Sequence, residues 1–312
     1  MMSHNALSHR RGAAAIVAAC AAVLAAGCAA PIRVDKSVDA LALVGPDAMV
    51  YARMDAASAR ALVPSLVPAD RARALDPLLD RTRCIALGLG RSGSALEASV
   101  GGGSGDFDAA FLGDFPFRAA SLALAADASW KREGRGFVNE EAGIRAAVPG
   151  PGLVLASSRS LDPLIAGAKS PGPSPIPARL EGLASSEIVI WVPRPFSGLV
   201  ASIVGETMDI PAVGLLVAAA PAPDQGTPSY DATVAFLMSD AESARIFRPA
   251  LRLAWYGIAR GLLGADADDA LGLSFSLDGE VYRASGARLS APSLAAALAR
   301  IKEGYLLEQR PR

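Results

Sequence analysis

Residue types that commonly carry chemistry are sparse in this chain of 312 residues, and their spacing limits what each could do. Gly88-Leu-Gly90-Arg-Ser-Gly93 has the G-x-G-x-x-G spacing that lets a pyrophosphate approach a helix N-terminus. The next residues, Ser94–Val100, alternate like a strand and run into Gly101–Gly105, so no helix is expected to open there. A turn between antiparallel strands is the expectation. Asp266, Asp268 and Asp269 could offer oxygen ligands, but the central glycine and downstream glutamate of a calcium loop are missing, which leaves a solvated turn. Glu140-Glu141 are candidates for acid–base work, yet neighbours in a strand face opposite sides. Neither G-x-S-x-G nor S-x-x-K occurs, so Lys131, Lys169 and Lys302 leave only a Ser–Lys dyad assembled by the fold. Both histidines, His4 and His9, lie in the first ten residues. No catalytic, cofactor-binding or metal-binding residue is assigned.

The strongest signal is at the N-terminus. Polar residues ending in Arg10-Arg11 precede the apolar run Gly12–Leu24, and Ala25-Ala26-Gly27-Cys28 follows. A basic segment, a short apolar segment and small residues before a cut describe a secretory signal. The apolar run is too short to cross a hydrocarbon core of ~30 Å. The small-small-Gly-Cys ending resembles the lipobox of bacterial lipoproteins, although Ala25 stands where that family prefers Leu. The resemblance implies cleavage between Gly27 and Cys28, a diacylglycerol thioether on Cys28, and residence at a bilayer outside the cytosol. Ala29 after the cysteine implies the outer membrane where a host has one. A removed signal takes both histidines with it, which excludes imidazole chemistry from the mature chain. Cys20 leaves as well, so Cys84 remains as a lone thiol in the apolar run Cys84-Ile-Ala-Leu87, expected to be buried and inert.

A net charge of −1 offers no basic surface for nucleic acid. Hydrophobic residues at 52% argue for a folded body, and aromatic residues at 5% are few for a stacking surface. Gly45-Pro-Asp-Ala-Met-Val-Tyr-Ala-Arg-Met-Asp55 resembles the opening strand of certain bacterial envelope domains that have no assigned activity; the body resembles no characterised family.

The elements that would position these residues fall into two halves. The expected division is a signal over 1–27, a lipidated tether over 28–40, an α+β domain or repeat over 41–169, a proline-rich linker over 170–177, a second over 178–303, and a tail over 304–312. The first half reads as strands at Ala48–Met54, Cys84–Leu89, Ala95–Val100, Phe107–Leu112, Arg135–Asn139, Gly143–Val148 and Leu153–Ala156. Helices are expected at Ala56–Leu62, Ala69–Leu79, Phe117–Ala126 and from Pro163. The second half reads as strands at Glu187–Val192, Val213–Ala219, Ala232–Met238, Leu271–Leu277 and Val281–Ala287. Its helices are expected over Phe196–Val204, from Ser239 to near Gly264, and from Ser290. Ser239-Asp-Ala-Glu242 has capping-box spacing, Pro249 should kink or split its helix, and Asp278-Gly279 marks a hairpin. Trp130, Trp191 and Trp255 are expected mainly as packing residues. Each half reads strand–helix–paired strands–helix–paired strands–helix. The expectation is an α+β fold of antiparallel sheets backed by helices, built from two tandem repeats.

This pattern favours a lipid-anchored envelope protein with a non-catalytic binding or scaffold role and an envelope protein partner. The alternatives are a periplasmic carrier of an apolar ligand and a hydrolase using carboxylate or Ser/Lys chemistry.

Overall fold

Val50-Tyr-Ala-Arg-Met-Asp55 alternates its side chains between two faces and forms β1 (Val50–Asp55). Val50, Ala52 and Met54 lie on one side, here the Val50 face, and Tyr51, Arg53 and Asp55 on the other, the Tyr51 face. The computed structural model describes residues 32, 38–66, 75–90, 106–197, 210–223, 229–263 and 273–308, with backbone alone at 261–263 and 301–308. The remaining strands are β2 (Thr82–Leu89), β3 (Phe107–Gly113), β4 (Lys131–Glu133), β5 (Gly136–Asn139), β6 (Ile144–Gly150), β7 (Leu153–Ser157), β8 (Ile188–Pro193), β9 (Ala212–Pro221), β10 (Ser229–Met238), β11 (Ser274–Asp278) and β12 (Val281–Ser290). The helices are α1 (Ala56–Leu66), α2 (Phe117–Ala126), α3 (Asp162–Lys169), α4 (Glu181–Ala184), α5 (Ala241–Ile246), α6 (Arg248–Leu263) and α7 (Ala291–Glu308). No helix among the described residues is long and apolar enough to cross a membrane.

All the strand pairs are antiparallel, and the expected α+β class is the observed one. Both halves share one sheet of 12 strands, in the order β11-β12-β10-β9-β8-β1-β2-β3-β7-β6-β5-β4. They join where β1 pairs with β8, Tyr51 opposite Trp191 and Met54 opposite Ile188. Outward from that seam the order is β1-β2-β3-β7-β6 on one side and β8-β9-β10-β12-β11 on the other. Each strand occupies the same rank along its half of the chain, with the β4–β5 hairpin added at the outer edge of the first half. This is the topology of a tandem duplication. Because β1 and β8 pair antiparallel in register, the Val50 face continues across the seam.

Helices cover that face. α6 buries Leu251, Ala254, Trp255, Ile258 and Ala259 at helical spacing against Ile190, Val192, Leu215, Val234 and Phe236. α7 sets Ala291, Leu294 and Ala295 on Ala219, Tyr230, Ala232 and Ile188, with Leu62 of α1 in the same cluster. The last helix of the second half thus packs on the first helix of the first, a second clasp between the halves. α1 and the helical turn at 75–79 place Ala59 and Leu79 over Ile85.

Several expectations are corrected in detail. The helix expected from Ser239 is split just before Pro249, as that proline suggested, but its start differs. Asp240, not Ser239, is the N-cap of α5, its Oδ1 accepting the Ser243 N–H at 2.7 Å, and Phe247 ends that helix. Pro249 then sits in the first turn of α6, where a missing N–H leaves nothing unpaired. β4 is an unexpected strand; three charged residues carry no periodic signal. The β11–β12 turn is Gly279-Glu280, with Gly279 at φ +58°. Ser290 caps α7 as expected, its Oγ accepting the Ser293 N–H at 3.2 Å. The strand expected at Ala95–Val100 and most of the helix expected over Phe196–Val204 lie outside the described residues; Pro195–Ser197 forms a 3-10 turn.

Candidate functional site

On the Tyr51 face, at the seam, a cleft of about 860 Å³ opens to solvent. Strand alternation supplies its floor. Arg53 and Asp55 come from β1, Cys84 lies opposite Asp55 on β2, and Leu112 lies opposite Cys84 on β3. The walls come from the segment Val38–Ala40 and from the proline-rich connection between the halves. That connection contributes Pro173 and Ile176, of which Ile176 is buried, and α4 adds Glu181. The segment read as a linker therefore lies against the sheet. Four prolines in seven residues hold it extended along this course.

Polar groups in the cleft and beside it are cross-tied over the seam. Arg53 Nη2 donates to the Ser186 carbonyl at 2.6 Å, and its Nε is buried without a partner. The Asp55 N–H donates to the Glu187 carbonyl at 2.9 Å, and Ser58 Oγ donates to Glu187 Oε2 at 3.0 Å. Burial raises the Asp55 carboxyl above the usual carboxylate range; the Arg53 guanidinium opposes this and the Glu187 carboxylate adds to it. Burial, then the Asp55 carboxylate, pushes the Cys84 thiol up to about 12. The thiol is half-buried rather than fully buried as expected, and at neutral pH it is protonated and a poor nucleophile. Asp39, Arg53, Asp55, Arg83 and Glu181 give the cleft charges of both signs around a partly apolar floor.

A second polar cluster lies where β3 and β7 pair. Ser157 Oγ donates to the buried Asp108 Oδ1 at 2.7 Å. Arg159 reaches Asp106 at 3.4 Å and Asp108 at 3.7 Å, while its N–H donates to Ser157 Oγ at 3.0 Å. Ser157 has no exposed surface, so this arrangement is structural support rather than a reactive serine.

Cys28 and Gly27, the residues assigned from the lipobox, lie outside the described residues, as do Asp266, Asp268 and Asp269. Gly88 and Gly90 end β2, and the Gly90 N–H donates to the Asp106 carbonyl at 2.8 Å. The next described strand, β3, pairs antiparallel with β2. Residues 91–105 between them are not described. Glu140 and Glu141 lie in a turn rather than a strand, and Glu140 pairs with Lys131 at 2.6 Å. Trp191 and Trp255 are buried in the core. Among the described residues no three His, Cys, Asp or Glu side chains cluster as a metal site would need. Arg53 and Asp55 were not singled out in the sequence; the one signal for them is that both occupy the same face of a strand whose other face is apolar.

A single open antiparallel sheet built from two halves, with helices on the Val50 face, defines the fold and matches solved structures. Three crystal forms of the Treponema protein TP0453 share it. Form I aligns at TM-score 0.60 over 86% of this chain and 99% of that one, with 15% identity. Form III gives 0.60 over 85% and 99%, and form IV 0.57 over 84% and 97%, each at 15% identity. At that identity the likeness shows the fold alone. No protein-family model matches the chain, and no curated protein matches it.

Proposed function

We propose that this chain is a lipid-anchored envelope protein with a non-catalytic binding role. Cys28 carries the acyl chains, the body lies outside the cytosol, and the seam cleft holds an envelope protein partner. The observation that carries the binding role is the state of the cleft's polar groups. Cys84 is held protonated, and Arg53 is committed to a carbonyl. Such groups are set to hold a shape rather than to exchange protons. Charges of both signs interspersed with apolar side chains suit a polypeptide surface. A carrier of an apolar ligand has less support, because the cleft opens to solvent and is rimmed by ionised side chains.

Two measurements separate the anchor from the cleft. Cells fed radioactive palmitate should label the wild type and leave Cys28→Ala unlabelled and uncut; an unlabelled wild type removes the anchor. A photo-crosslinking residue at Ala184, in the cleft wall, should capture one envelope protein that the same residue at exposed Leu122 does not. Equal capture at both positions, or none at Ala184, removes the cleft as the binding surface.

A further inference from the structure

On the Val50 face, far along the sheet toward β11, Tyr282 of β12 is fully buried, and its hydroxyl proton finds no acceptor, the Arg248 guanidinium being the group that reaches toward it. A phenol buried so deeply normally finds one. Its ring stacks on Phe275 of β11, centroids 5.9 Å apart and planes 16° apart, and Tyr256 of α6 meets Phe275 edge-on at 6.1 Å and 73°. Arg252 closes this group from outside. Its guanidinium carbon lies 4.8 Å from the Phe275 centroid, and its Nε and Nη2 both donate to the Tyr256 hydroxyl at 3.2 Å. One turn earlier on α6, Arg248 is close enough to act on the Tyr282 hydroxyl.

Burial raises the Tyr282 hydroxyl above the usual phenol range; Arg248, by charge and hydrogen bond, and Arg252 oppose this, Tyr256 adds to it, and no carboxylate takes part. Neither arginine makes an ion pair among the described residues. The acids of the adjoining hairpin are engaged elsewhere, Asp278 with Arg283 at 3.8 Å and Glu280 with Arg179 at 3.0 Å. Two guanidinium groups and a buried phenol in one place therefore form a donor set whose acceptors are neutral phenol oxygens and not an anion, held by a rigid aromatic stack.

We propose that Arg248, Arg252 and the Tyr282 hydroxyl bind a phosphate group. Guanidinium forks match the geometry of phosphate oxygens, and two positive charges match a dianion better than a single carboxylate. Phosphate also supplies the acceptor that the Tyr282 hydroxyl lacks, and Arg252, already seated on Phe275, loses little freedom on binding. The group belongs to a soluble phosphoester or to a lipid headgroup. The site lies away from the seam cleft on the opposite face of the sheet, so it stands independently of the partner proposed there.

The test titrates the full chain with phenyl phosphate by calorimetry, and separately with phosphatidylcholine vesicles with and without phosphatidic acid. Binding of phenyl phosphate points to the soluble source, and binding only to phosphatidic acid vesicles points to the lipid source. In either arm Arg248→Gln/Arg252→Gln should weaken binding about tenfold or more, as the loss of charge-assisted bonds implies. Tyr282→Phe, which keeps the stack, should weaken binding by a smaller factor while leaving the thermal midpoint unchanged or higher. No binding in either arm, or equal binding by wild type and the double variant, overturns the site.

Discussion

The indole of Trp191 lies over the backbone of Gly214, so that a Cβ built at 214 would stand 1.8 Å from Trp191 Cη2. Trp191 is on β8 and Gly214 is on β9, opposite Pro193, so the ring crosses diagonally between strands. The close approach lets the largest side chain of the seam lie flat on the sheet.

Gly214→Ala should therefore destabilise the protein by about 1–3 kcal/mol, the range for overpacking a filled core. In a Trp191→Leu background the same change should have a much smaller effect, because the colliding ring is gone. Urea denaturation of the four proteins in the cycle checks this; equal effects in both backgrounds would contradict the contact.

Asp240 caps α5 and Ser239 does not. Asp240→Ala should lower the urea midpoint more than Ser239→Ala. Hydrogen bonds from the Ser243 N–H, the Ser243 hydroxyl and the Ser239 hydroxyl hold the Asp240 carboxyl below the usual carboxylate range. A carboxylate with a depressed folded pKa adds stability that is fully present above its unfolded pKa of ~3.9. That stability is lost as pH falls through the folded value. The difference between wild type and Asp240→Ala should be constant from pH 7 to pH 5 and shrink on further acidification. A difference that grows on acidification has the wrong sign.

Cys84, with its thiol pushed up to about 12, should resist alkylation in the native protein. Iodoacetamide modification at pH 8, read by mass spectrometry on the Cys84 peptide, should be ~100-fold or more slower than in urea, where the thiol returns toward ~8.5. Asp55→Asn removes a carboxylate that raises this pKa and should speed the native reaction. Unchanged or slower modification would show that the Asp55 charge does not act on the thiol.

Ser157→Ala deletes the donor to buried Asp108 and should lower stability by about 1–3 kcal/mol, the effect of leaving a buried acceptor unsatisfied. Guanidinium denaturation measures it. A near-zero change would mean that Arg159 alone satisfies Asp108.

Local features of the fold were legible where one segment carried its own signal. Phe117–Ala126 has the observed bounds of α2, and Ser290 caps the helix its spacing suggested. The matching strand order of the two halves was legible as a succession of elements, since single strands and strand pairs recur in the same order. The β1–β8 pairing was not, because alternation in Val50–Asp55 and in Ile188–Pro193 says that each is a strand and nothing about which strand lies beside it. The cleft was hidden for the same reason. Arg53 belongs to it only because Ser186, distant in the chain, offers a carbonyl across the seam. Lys131–Glu133 shows another limit: an edge strand of three charged residues is held by its hairpin partner, Phe137 opposite Arg132, rather than by any pattern of its own.

Ribosomes make the first half before the second, and β1 then has a partner only on its β2 side. Its other margin stays bare until β8 has emerged, and Leu62 of α1 lacks the α7 surface that closes over it. For that interval the nascent chain is an incomplete ribbon able to zip onto any extended polypeptide nearby. A fragment stopped at Lys169 should inherit this stickiness permanently and precipitate or pair with itself, whereas the finished chain seals that margin from within.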